Sequence, residues 1–137
     1  MSMIETFRKR FLYLVANNAA VRAKISTNFY PSFLAEVPSP TYPCANYALV
    51  TGGMTDASAA NKFGVFPVRL WGHSQKHLDE AISVLTPVEA VFENNAFAYV
   101  DIEFRLMRDT TLFTLFDEQS HVYSATSQWR VQAILKT

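Results

Sequence analysis

Three histidines, a lone cysteine and a short row of alternating charges are the residues of this 137-residue chain whose chemistry could reach beyond packing. His73 and His77 stand four apart, a spacing that puts two metal ligands on one face of a helix. Ser74, however, follows Gly72-His73 and precedes Leu78, Ala81, Ile82 and Leu85, so it is the expected N-cap of a helix that leaves His73 outside. No carboxylate stands at the spacing of an HExxH site, and the histidines, His121 included, read as solvated surface residues. Cys44 follows Pro43 at the start of a strand, where a nucleophile could be presented. Nothing ties it to a particular histidine, and a lone cysteine behaves as a small buried hydrophobe.

Asp101 and Glu103 fall on one face of an alternating run, as the paired carboxylates of acid–base chemistry can. Arg105 continues their row, which turns it into a cross-strand or intersubunit ion ladder. Gly52-Gly53 lacks the spacing of a phosphate-cradling loop and reads as a turn. Trp71 beside Arg69, and Trp129 beside Arg130, could stack on bases. No basic cluster surrounds them, so they read as core or interface aromatics. No residue is assigned a catalytic, cofactor-binding or metal-binding role, and no cofactor is expected.

The elements that position these residues follow from periodicity. Ile4, Phe7, Phe11, Leu14, Val15 and Val21 recur at helical spacing with Arg8, Lys9 and Arg10 between them. Asn17 and Asn18 weaken or end that helix, and residues 19–25 follow as a second short turn. Four prolines between 31 and 43 predict an extended, non-helical connection. Residues 45–51 read as a strand closed by the glycine pair, and residues 54–62, with Met54, Thr55, Asp56, Ser58, Asn61 and Lys62, as a mobile hairpin loop. A second strand covers 63–71, with Phe66, Val68 and Leu70 on one face, and Pro67 must face away from a partner. Pro87 is expected to end the helix that Ser74 begins or to start a new turn. Val100, Ile102, Phe104 and Leu106 alternate with Asp101, Glu103, Arg105 and Met107, the cleanest period-two pattern of the chain. Residues 109–117 form a further β-rich run, and 123–135 a long final strand.

This order predicts an α+β fold, a mostly antiparallel sheet of four to five strands with two helices packed on one face, in a single domain over residues 1–137. Half the residues are hydrophobic and 14% aromatic, so burial can offset the ordering entropy nearly end to end. Twelve basic residues balance twelve acidic ones, interspersed along the chain. That argues against nonspecific nucleic-acid binding and lowers self-repulsion between copies. A single cysteine forms no internal disulfide or cysteine-based metal site. With no membrane-length apolar run and no signal-peptide layout, the chain is expected to be cytoplasmic, unprocessed and without a membrane partner.

The whole chain resembles the tail-terminator, or tail-completion, family of long-tailed bacteriophages, which includes the lambda tail terminator and related head–tail joining proteins. The resemblance rests on layout: an N-terminal helix, Phe29-Tyr30-Pro31, the proline-flanked stretch from Pro40 to Tyr47, Val68-Arg69-Leu70-Trp71-Gly72, a helix after Ser74, and a closing strand through Trp129-Arg130-Val131-Gln132. It implies a non-enzymatic virion protein that forms a ring, often a hexamer, at the head-proximal end of the tail tube. Such a ring stops tube polymerisation and joins the tail to the head connector or stopper protein. It implies tail-tube and connector proteins as partners, genomic DNA passing through the lumen without sequence-specific binding, and assembly in the host cytoplasm into the neck of the virion. On this reading Arg69, Asp101, Glu103, Arg105 and Arg130 are intersubunit or lumen-facing charges, and the 54–62 loop orders against a neighbouring ring. The alternatives are another neck or connector adaptor ring and a small α+β enzyme.

Overall fold

Period-two patterning does set up the sheet, and the helical stripes supply its cover. The computed structural model describes residues 3–32, 34–49, 55–56, 63–93, 97–99, 102–109 and 113–135. In chain order these form α1 (Met3–Ala16), α2 (Ala19–Ile25), β1 (Phe29–Tyr30), a 3₁₀ turn at Leu34–Glu36, β2 (Cys44–Leu49), β3 (Thr55–Asp56), β4 (Phe63–Ser74), α3 (Leu78–Glu93), β5 (Phe97–Tyr99), β6 (Ile102–Arg108), β7 (Phe113–Asp117) and β8 (Val122–Leu135). The sheet runs β1-β2-β4-β8-β6-β5, with β3 paired to β4 and β7 paired to β8. β1 joins β2 in parallel and the other pairings are antiparallel. The fold is α+β, a mostly antiparallel sheet with helices packed on one face. Short strands and the separate α2 add elements beyond the four or five strands and two helices expected.

The centre is the ladder between β4 and β8, which matches Phe63 with Ile134 through Ser74 with Tyr123. One row of it is apolar: Phe66, Val68 and Leu70 of β4 and Trp129, Val131 and Ala133 of β8 are buried. α1 lays Phe7 against Phe66 and Phe104, with ring centroids 5.2 and 5.4 Å apart, and Phe11 against Tyr47 at 5.0 Å. Each such buried ring contributes roughly 1.5–3 kcal/mol. The amphipathic spacing of α1 thus becomes a diagonal across the sheet, from β6 toward the β1 edge. Asn17 and Asn18 end it as expected, and Asn18 also caps α2, its side chain accepting from Val21 N at 3.1 Å.

Several local expectations are corrected. Ser74 is the last residue of β4, and its hydroxyl accepts from Lys76 N and His77 N in the turn that follows. The cap of α3 is His77, whose Nδ1 accepts from Glu80 N at 3.1 Å. Pro87 neither ends nor restarts the helix but lies inside α3. Its missing N–H denies Ser83 O the usual intrahelical donor, and one residue earlier the Thr86 hydroxyl donates back to Ile82 O at 2.9 Å. The proline-rich connection carries the 3₁₀ turn at Leu34–Glu36. Position 67 faces Arg130 of β8, and it falls between the last partner of β2, at Val68, and the β3 pairing at Val65. A residue without an N–H fits that gap. Gly52-Gly53 lies outside the described residues.

α3 crosses the same face so closely that Gly72 has no room for a side chain: a Cβ there would overlap Ala81 O and sit 2.9 Å from Leu85 N. Backbone atoms cannot turn aside, so Gly72→Ala must push the helix off the sheet. The expected cost is about 3 kcal/mol, read as a lowered urea midpoint with an unchanged slope. A variant as stable as the parent would show that this contact is not tight.

Candidate functional site

Residues that alternate with the buried row must emerge on the opposite side of the sheet, and the pairing register groups the predicted charges there. Arg69 faces Gln128, Arg105 faces Gln132, and Arg130 lies between Pro67 and Met107. The three arginines therefore step diagonally across β4, β8 and β6. Each has a partner within the chain. Arg69 Nη2 donates to Gln128 Oε1 at 2.8 Å, and its guanidinium lies over the Trp71 ring at 5.9 Å. Arg105 is 3.5 Å from Glu103 Oε2, and Arg130 is 3.4 Å from Asp109 Oδ1. Both pairs are open to solvent, where such contacts add little stability.

Asp101, Met54, Ser58, Asn61 and Lys62 lie outside the described residues, as does most of the expected loop over 54–62. Thr55 and Asp56 form β3 on the flank of β4. A further ion pair forms on the helix side. Arg108 Nη2 reaches 2.9 Å from Glu89 Oε2 of α3 while its guanidinium covers the Trp129 ring at 4.7 Å. It ties α3 to β6 and β8.

At the other end of the polar face the chain folds back on itself. Residues of the proline-rich connection and of the turn between β7 and β8 line an open cavity of about 330 Å³ whose walls include Leu34, Pro40, Tyr42, Asp117, His73 and Ser124. His73 is buried, contrary to the surface position expected of it, and β4 places it away from any helix. The helical metal pair with His77 is therefore not formed. Its Nε2 lies 2.6 Å from Asn46 Oδ1 and its Nδ1 lies 2.7 Å from Ser124 Oγ. Asn46 Nδ2 donates to the Ser32 carbonyl at 2.9 Å, which turns the amide oxygen toward the ring. His73 then carries its proton on Nε2 and accepts the Ser124 hydroxyl proton at Nδ1.

A serine donating to an imidazole has the form of an activated nucleophile. The energetics point the other way. Burial pushes His73 down to about 4, so it is a weak base at neutral pH. Its second partner is a neutral amide that cannot stabilise an imidazolium. The trio satisfies buried polar groups under the proline-rich cover. Cys44, as expected, is buried, and desolvation pushes its thiol up to about 12, which leaves no thiolate for chemistry. Burial is also the main cause of the upward shift at Tyr42, with Cys44, Tyr30 and Asp117 adding to it.

Sequence reasoning placed the arginines on one strand face but missed Gln128 and Asp109 as their partners and missed the trio altogether. Asn46, His73 and Ser124 lie on three strands, and no spacing along the chain marks their meeting.

No protein-family model matches the chain, and no curated protein does. Among solved structures, a chain of the virion of a native gene transfer agent particle is similar, with a TM-score of 0.60 at 12% identity, over 90% of this chain and 91% of that one. At that identity the likeness speaks to the fold.

The neutral His73 makes stability depend on pH. Its folded value lies near 4, below the ordinary 6.5, so between these values the unfolded chain binds the extra proton. Stability is full above about 6.5, falls as pH drops toward 4, and then levels off, with a loss of about 3 kcal/mol. Urea titrations across that window should show the slope in the parent and its loss in His73→Gln; equal slopes would remove His73 as the cause.

Proposed function

We propose that the chain is a structural virion protein that forms a ring at the head-proximal end of a phage tail tube, where it ends tube growth and joins tail to head. The observation that carries this reading is the likeness to a virion chain over nine-tenths of both chains, together with the layout shared with tail terminators. The site agrees in kind. Its cavity holds a histidine kept neutral, and its open face presents a diagonal of arginines, two of them, Arg105 and Arg130, in weak, exposed pairs. In a ring, that face would line the lumen or meet the next subunit, with Asp101 continuing the row of Glu103 and Arg105. DNA would then pass cationic groups without base readout. The 54–62 loop would order against a neighbouring ring, and the whole chain would act as one domain.

The direct test is negative-stain imaging of the purified protein mixed with polymerising tail-tube protein. Rings at one end of each tube and an arrest of elongation are expected; bare ends on tubes that keep growing would overturn the proposal. Arg105→Glu should weaken ring formation or head joining by about tenfold or more, since rim charges act through complementarity. Deleting the 54–62 loop should spare the ring and block head joining. Variants that join heads to tails as well as the parent remove these residues from the function.

A further inference from the structure

Two features at opposite edges of the sheet are complementary. The first is β7. The register of β8 passes from β6 to β7 along one flank, and β5 covers β6 at Ile102–Phe104. Over Arg105–Arg108 of β6 and along β7 that outer edge has no strand partner among the described residues. Every residue of β7 is exposed, and Phe113, Leu115 and Phe116 keep 40, 57 and 44% of their surface open. Free backbone groups beside open apolar side chains invite pairing with another chain. Phe116 and Thr114 face the helix side, because they pair with Tyr123 and Ala125.

The second feature lies beyond β4 and β2, at the β1 edge. There α1, α2 and the start of β1 leave an apolar cavity of about 170 Å³, floored by Leu12, Val15, Val21 and Phe29 and rimmed by the exposed Ala16 and Thr27. An apolar cavity of roughly 150 Å³ can take up a benzene ring, so this one suits a phenyl side chain. It lies in the helix layer, the layer that Phe116 of an adjoining sheet would face. Charge agrees: α1 and α2 carry Arg8, Lys9, Arg10, Arg22 and Lys24 against a single acid, Glu5, whereas residues 113–121 carry Asp117 and Glu118 and no Lys or Arg.

We infer that β7 of one copy docks against the α1–α2–β1 edge of a second copy, with Phe116 entering the apolar cavity and the acidic turn meeting the basic helices. The inference rests on the ring reading in taking the partner to be another copy of this chain. The contact is heterologous, so each subunit offers one β7 and one cavity. Such a contact closes into a ring when the rotation per step permits and otherwise grows as an open chain.

Two variants separate the halves of the contact: Phe116→Asp spoils β7 and leaves the cavity, and Ala16→Trp fills the cavity and leaves β7. Light scattering after size exclusion, over a range of concentrations, should show the parent assembling and each variant monomeric. Dissociation constants should rise by at least about a hundredfold, with thermal midpoints held within a few degrees of the parent. An equimolar mixture should give 1:1 dimers and nothing larger, because one intact β7 then meets one intact cavity. A monomeric parent, variants that assemble as the parent does, or a mixture that fails to dimerise would overturn the inference. A parent that builds open chains, blocked by both variants, would uphold it and overturn the ring reading.

Discussion

The antiparallel ladder between β4 and β8 is the constraint from which the other features follow. It fixes which residues of two long strands face the helices, and so it commits Phe66, Val68, Leu70, Trp129 and Val131 to one side and Arg69, Gln128, Arg130 and His73 to the other. A slip of one residue would exchange the two sets. The aromatic contacts of α1 and the close seat of α3 over Gly72 hold the register by making one of its faces irreplaceable. The three arginines and His73 are then located by elimination.

Two solutions to polarity coexist on that second side. Toward the β6 end the face stays wet, and its arginines keep long, weakly held partners that another molecule could replace at small expense. Toward the proline-rich cover the same face is partly covered, and there the buried His73 has a short contact at each ring nitrogen. Burial without such contacts would cost far more than the contacts gain. The boundary between the two is drawn by residues 31–43, whose Ser32 carbonyl accepts from Asn46 and whose Pro40 and Tyr42 stand beside His73.

Much of this was legible in the chain. Alternation from Ile102 to Met107 and from Phe66 to Leu70, and the spacing of Phe7 and Phe11, reported burial because each depends on a period that one element imposes by itself. What escaped reading depends on elements distant in sequence. His73 looks like a surface residue beside Gly72 and Ser74, and it is buried because the proline-rich segment returns over it. Pro87 reads as a stop and is tolerated because its helix is held by the sheet beneath. The capping role passed from Ser74 to His77 because β4 runs longer than its apolar pattern. The site followed the same rule: strand parity grouped the arginines, and Asp109 and Gln128 needed the register.

That register also changes along one flank of β8. Arg108 opposes Trp129 and Phe113 opposes Thr126, so five steps on one side answer three on the other, an excess of two. An even excess preserves parity, and Phe113 and Leu115 emerge on the same side as Arg105 and Met107. Insertions or deletions between 109 and 112 are therefore not equivalent. Those of even length leave the amphipathic sense of β7 intact, whereas a single added or lost residue turns it over and exchanges Leu115 with Phe116 between the two layers. Natural length variation at this point should come in pairs.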